Sequence, residues 1–152
     1  MNVTIKDEIF IRATPEDVWD YTQDWTRRHE WDAAVRSAVV LGDVPRVVRM
    51  RGAGSFAATV TYRLNERPRR TSLAMNDVSS PVIAGGGGSW EYVPENGGTR
   101  FAQVNTLTLR GGLLARAMAP LLAWMFRRST RRALQEAKRI LEQRVAPPEG
   151  AG

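Results

Sequence analysis

Val3, Ile5, Ile9 and Ile11 share one face of residues 3–13, while Lys6, Glu8 and Arg12 occupy the other. This period-two alternation predicts a half-buried strand. Asp7 falls in phase with the isoleucines and so needs a partner wherever that face is buried. Thr14-Pro15-Glu16-Asp17 then predicts a helix start. Thr14 can cap free N–H groups, Pro15 suits the first helical position, and two acids complement the positive helix end. Val18, Trp19 and Thr22 seat this short helix, and a second over residues 25–34 presents Trp25 and Trp31.

The texture then changes to that of strands. Segments near 35–42, 46–52, 54–65, 70–79, 82–93 and 99–109 are rich in Val, Thr and aromatics. Gly42-Asp43, Gly52-Ala53-Gly54, Arg67-Pro68, Ser80-Pro81 and Asn96-Gly97-Gly98 punctuate them. Asn96-Gly97 is the clearest hairpin turn, because both residues tolerate positive φ. Six consecutive strands make an antiparallel meander. Residues 112–145 are helical: Leu122, Phe126, Thr130, Ala133, Ala137, Ile140 and Leu141 form one stripe, with arginines on the other sides. Pro120 is expected to kink this helix or to divide it from a short preceding turn. Residues 146–152, with Pro147-Pro148 and two glycines, are expected to fray.

This order carries a resemblance. Pro15-Glu16-Asp17-Val18-Trp19 follows the first strand, and Asp24-Trp25 leads to Glu30-Trp31-Asp32. Ser89-Trp90-Glu91-Tyr92 and Gly98-Thr99-Arg100-Phe101 stand in the last hairpin, and Pro120-Leu121-Leu122 precedes Arg-rich turns of the closing helix. Over residues 2–144 the chain resembles the START-like (SRPBCC) helix-grip superfamily, in its polyketide cyclase/dehydrase and lipid-transport branch. The resemblance implies an α+β fold: a curved antiparallel sheet of about seven strands round a long C-terminal helix, with two short helices after strand 1. It also implies an apolar cavity between sheet and helix, in one domain over residues 1–145.

Composition narrows the chemistry. The chain has 152 residues, ordinary for one domain, with no cysteine and one histidine. Thiolate metal sites, disulfides and a Cys nucleophile are thereby excluded. No metal or other cofactor is expected. His29 lies in the charged run Arg27-Arg28-His29-Glu30, expected on an exposed helix, which argues against a catalytic imidazole. Gly85-Gly86-Gly87-Gly88 lacks the Lys-Ser/Thr of a phosphate loop and is expected to mark a bulged, flexible strand start near a cavity mouth. The net charge of +6 is uneven, since residues 1–32 are net acidic and the rest strongly basic. Arg127, Arg128, Arg131 and Arg132 have no groove-reading motif or interleaved exposed aromatics beside them, so no nucleic acid partner is expected. The first residues lack a signal-peptide core, making a cytoplasmic protein the expectation.

The expected ligand is a small hydrophobic or amphipathic molecule such as a lipid or polyketide. Candidate binding residues are Trp31, Tyr62, Met75, Trp90 and Phe101, then Asn105 on the last strand and Met118, Leu122 and Met125 on the long helix. Gln103 and Asn105 stand in phase with Phe101, placing amides on an apolar face. A second expectation is a cyclase or dehydratase acting on a poly-β-keto chain, with catalytic candidates Asp7, Arg49, Arg51, Tyr62 and Asn105. An inward Arg49 or Arg51 would neutralise Asp7. Residues 113–126 are apolar almost all round, so beyond lining a cavity they suit a homodimer contact, and with the Arg-rich turns of the same helix a third expectation is docking on a membrane surface or a partner protein.

Overall fold

The computed structural model describes residues 1–145; the fraying expected over residues 146–152 lies outside them. Strand β1 (Asn2–Ile11) is followed by helix α1 (Pro15–Thr22), then β2 (Ser37–Asp43), β3 (Arg46–Arg51), β4 (Ala57–Glu66), β5 (Arg70–Asn76), β6 (Ile83–Glu95) and β7 (Gly98–Leu109). Helix α2 (Leu113–Val145) closes the chain. The seven strands form one antiparallel sheet in the order β1-β7-β6-β5-β4-β3-β2. The chain therefore lays down β2 to β7 as a meander and inserts β1 at the edge beside β7.

The local signals explain most boundaries. Thr14 accepts from Asp17 N at 3.2 Å, capping α1. Asn96 (φ 47°) and Gly97 (φ 78°) both occupy the left-handed region, the two-residue turn that joins β6 to β7. The second short helix contracts to a single 3-10 turn, Arg28–Glu30. Pro120 does not divide α2, which runs continuously over 33 residues.

The concave face of the sheet holds two clusters of buried side chains. One gathers Ile11, Trp19, Tyr92 and Phe101 under Leu134, Ala137 and Leu141 of α2. Tyr92 stacks on Phe101 with centroids 4.8 Å apart, and Trp19 tilts against Tyr92 at 5.0 Å. The other joins Trp25 and Val35 to Val48, Met50, Ala58, Val60 and Tyr62 of β3 and β4. Helix α2 packs along β1, and its burial begins in earnest at Thr130. Ahead of Thr130 only Ala115 is buried, while Leu113, Leu114, Leu121, Trp124 and Met125 are each more than half exposed. Among the described residues no helix is long and apolar enough to cross a membrane.

Candidate functional site

Between the second cluster and α2 lies a cavity of about 260 Å³. Its floor is sheet: Met50 and Val60 from β3 and β4, Leu73 and Met75 from β5, Trp90 from β6, and Gln103 and Asn105 from β7. Phe126, Ser129, Thr130 and Ala133 of α2 form the opposite wall, and the segment around the 3-10 turn contributes Trp25, Arg28, Trp31 and Asp32. A groove of about 610 Å³ lies on the outer side of that turn, lined by His29, Trp124, Met125 and Arg128. The two spaces share Trp31, Ser129 and Ala133 as a common wall.

Arg28 is the central polar residue of the cavity. It is 7% exposed, and its guanidinium carbon lies 4.5, 4.6 and 4.4 Å from the ring centroids of Trp25, Trp31 and Trp90. Its Nε and Nη2 each approach Asp32 Oδ2 at 3.0 Å. Asp32 Oδ1 accepts from Ala34 N at 3.1 Å, so the loop backbone fixes the carboxylate. A buried cation is tolerated only with its charge answered and its faces covered; the carboxylate and three indoles do both here.

The amides on β7 complete the floor. Trp90 Nε1 donates to Asn105 Oδ1 at 2.9 Å, and Asn105 Nδ2 donates to Gln103 Oε1 at 2.9 Å. Gly88 makes room for this arrangement, because a Cβ there would stand 2.6 Å from Asn105 Oδ1. Among the described residues, three buried nitrogens of cavity residues have no hydrogen-bond partner: Arg28 Nη1, Trp31 Nε1 and Gln103 Nε2. A buried donor left unpaired costs on the order of 1–3 kcal/mol, so three at one cavity invite an acceptor.

A separate polar chain lies deeper. Trp25 Nε1 donates to the Tyr62 hydroxyl at 2.7 Å, which donates to Gln23 Oε1 at 2.5 Å. Gln23 Nε2 donates to the Tyr92 hydroxyl at 2.7 Å, and Thr22 Oγ1, 2.7 Å from that hydroxyl, donates to Val18 O at 2.7 Å. Burial pushes the Tyr62 and Tyr92 phenols above their ordinary pKa. Tyr21 is pushed to about 12 by burial and by its hydrogen bond to Glu30.

Of the residues singled out from sequence, Trp31, Met75, Trp90 and Asn105 line the cavity. Tyr62 is buried on the inner face, but its hydroxyl is held by Trp25 and Gln23 rather than facing the cavity. Phe101 is fully buried in the solid cluster. Met118, Leu122 and Met125 do not line the cavity, which meets α2 only from Phe126 onward; Met125 faces the outer groove. Asp7 does point with Ile5 toward α2, where Arg131 Nη1 meets it at 3.1 Å, outside the cavity. The expected ion pair with Arg49 or Arg51 does not form. Strand β3 is the sixth in the sheet order and β1 the first, and the inward positions of β3 belong to Val48 and Met50. Arg49 instead pairs with Asp77 at 3.0 Å on the outer face, and Arg51 is exposed.

His29 is exposed, but Arg28 beside it is buried, against the reading of the whole run as solvated surface. The signal for it was present: Trp25, Arg28 and Trp31 are spaced by three, and Arg28 and Asp32 by four. A helical turn puts such residues on one side.

The comparisons agree with this architecture. Residues 2–142 match the family model described as polyketide cyclase / dehydrase and lipid transport. Among solved structures, the Zhui aromatase/cyclase from Streptomyces sp. R1128 superposes with a TM-score of 0.82 at 15% identity, covering 99% of this chain and 100% of that one. A protein of Thermus thermophilus superposes at 0.79 with 16% identity, covering 94% of this chain and 99% of its own. The di-domain ARO/CYC StfQ from the steffimycin biosynthetic pathway superposes at 0.79 with 16% identity over 95% of this chain. This chain spans 52% of that two-domain protein. No curated protein matches the sequence. With the helix-grip architecture and a family match over nearly its whole length, the chain belongs to the polyketide cyclase/dehydrase and lipid-transport family.

Proposed function

We propose that this protein binds a small amphipathic molecule in the cavity between α2 and the sheet. The observation that carries the reading is the cavity itself: about 260 Å³, largely apolar, with buried unpaired donors on three of its lining residues. An aromatic body the size of a Phe or Trp side chain buries about 150–250 Å². At ~25 cal/mol per Å² that supplies about 4–6 kcal/mol, enough for affinity of roughly 1 mM to 40 μM. Tighter binding therefore needs the polar wall. A ligand at a hundredfold excess over its Kd stabilises the fold by about 2.7 kcal/mol. At this chain length that raises Tm by about 5–10 °C. Thermal denaturation with fatty acids, aromatic polyketides and simple aromatic acids, read beside native mass spectrometry, tests this. Ala133→Leu, which fills the cavity from α2, is expected to abolish the shift. No shift with any compound, or a shift untouched by Ala133→Leu, overturns the reading.

Cyclisation and dehydration of a poly-β-keto chain is the second reading, favoured by one observation. Arg28 and Asp32 both line the cavity, so a carbonyl polariser and a carboxylate stand together there. Incubation with a short poly-β-keto thioester and mass analysis for loss of water tests it. An unchanged substrate, with binding intact, removes catalysis and leaves the carrier.

A further inference from the structure

One donor fixes the orientation of every amide at the cavity. An indole N–H can only donate, so Trp90 Nε1 must face an oxygen of Asn105. Asn105 then presents its NH2 to Gln103, which must answer with Oε1. The Gln103 NH2 is left unpaired on a residue 4% exposed. Arg28 Nη1 and Trp31 Nε1 end the same way, on residues 7% and 3% exposed. Arg28 cannot turn to relieve this, because Asp32 holds its other edge and three indoles surround it. All three residues line the same cavity.

The remaining polar groups there do not offset these donors. Asp32, the one carboxylate of the lining among the described residues, already accepts from Arg28 and from Ala34 N. Thr106, Ser129 and Thr130 carry hydroxyls that donate or accept equally and so do not discriminate. Arg28 Nη1 and the Gln103 amide each carry two hydrogens and Trp31 one. A carbonyl oxygen would leave several unused, whereas a carboxylate accepts roughly four hydrogen bonds. An alcohol or amine accepts fewer of these hydrogens and brings one of its own, for which only the Thr106, Ser129 and Thr130 hydroxyls of the lining remain as acceptors. Size adds a second restriction. The cavity equals about eight or nine waters at ~30 Å³ each, below the ~300–1,000 Å³ of drug-sized sites. One or two rings fill it; a longer chain would extend through its open side.

We propose that the cavity recognises compact aromatic carboxylates. The carboxylate sits on Arg28 Nη1, Trp31 Nε1 and Gln103 Nε2, and the ring lies against Met50, Val60, Leu73 and Met75. Arg28 bridges two carboxylates, Asp32 on one edge of its planar fork and the ligand on another. This rests on the cavity being a ligand site and goes further by fixing the ligand's polar group.

Calorimetric titration of the full chain with 2-naphthoate, 2-naphthalenemethanol and naphthalene tests it. The carboxylate is expected to bind at least about tenfold more tightly than the alcohol, since charge-assisted bonds are roughly twice as strong as neutral ones. Gln103→Glu still accepts from Asn105 but sets a negative charge at the proposed seat. It is expected to weaken 2-naphthoate by about tenfold or more without weakening the alcohol, whose hydroxyl can donate to the new carboxylate. Trp31→Phe, a milder change that keeps the ring, is expected to weaken the carboxylate selectively by about threefold to tenfold. Equal affinity for carboxylate and alcohol in the unaltered protein overturns this proposal and leaves the cavity reading standing. So does an equal loss of both in the two variants. Binding of none of the three compounds overturns both.

Discussion

Two hydrogen-bond chains in this molecule begin at an indole, and they end differently. From Trp25 the chain runs through Tyr62, Gln23, Tyr92 and Thr22 to the carbonyl of Val18. Every side-chain polar atom on that path has a partner. From Trp90 the chain runs through Asn105 to Gln103 and stops at an NH2 with no partner. The first chain welds α1 to β4 and β6 and lies beside solid aromatic packing. The second lies on a cavity wall. Gln23 (3% exposed) and Gln103 (4%) are buried alike, although Asn105 is only half-buried, so exposure alone does not separate structural polar groups from binding ones. Completeness of pairing does.

The largest expected effect comes from the residue beside the open chain. Arg28→Met strands Asp32 as an unanswered buried carboxylate and should cost about 3–5 kcal/mol in urea denaturation. Adding Asp32→Asn should recover much of that loss. If the double variant is no more stable than the single one, the ion pair is not what holds the 3-10 turn in place.

Breaking the closed chain comes next. Tyr92→Phe removes the acceptor for Gln23 Nε2 and the neighbour of Thr22 Oγ1, and should cost about 1–3 kcal/mol. Gln103→Met in the open chain deletes a donor that had no partner while freeing Asn105 Nδ2, so its cost should stay within about 1 kcal/mol. Equal costs for these two changes would erase the distinction drawn between the chains.

A pH titration sharpens it further. Tyr21, Tyr62 and Tyr92 are the three tyrosines of the chain, and all have raised pKa values in the fold. A raised phenol favours the folded state fully below the unfolded value of about 10, and that contribution is lost as pH rises toward the folded value. Stability should therefore decline above about pH 10. Absorbance near the phenolate band should stay low at about pH 10.5 until the chain unfolds. Stepwise ionisation of Tyr62 in the folded protein would mean the closed chain is wetter than its geometry. The smallest effect belongs outside both chains: Trp124→Ala, at a position 54% exposed, should change stability by no more than about 0.5 kcal/mol.

The elements were legible from local signals. Thr14 and Pro15 mark α1, Asn96-Gly97 marks the last hairpin, and alternation marks β1 with Asp7 on its inner face. The site was legible only in part. Met75, Trp90 and Asn105 sit on inward strand phases and Trp31 follows the 3-10 turn; all four line the cavity. Arg28 escaped because a charged run suggests solvent; its burial is tolerable only with Asp32, the neighbouring Trp25 and Trp31, and Trp90 brought in from β6. Met118, Leu122 and Met125 were placed on the cavity by the apolarity of their helix. Apolarity says that a face avoids water; it does not say where along a 33-residue helix the sheet begins to cover it.

The sequence by itself determined the order of elements, the inner and outer faces of most strands, and the exclusion of thiol chemistry. These depend on residues within a few positions of one another, where sterics and capping act. Tertiary structure alone decided that β1 joins β7 rather than β3, that Asp7 meets Arg131 rather than Arg49 or Arg51, and that three donors remain unpaired around one hollow. Pairing and vacancy are properties of distance in space between residues far apart in the chain, and no local pattern encodes that distance.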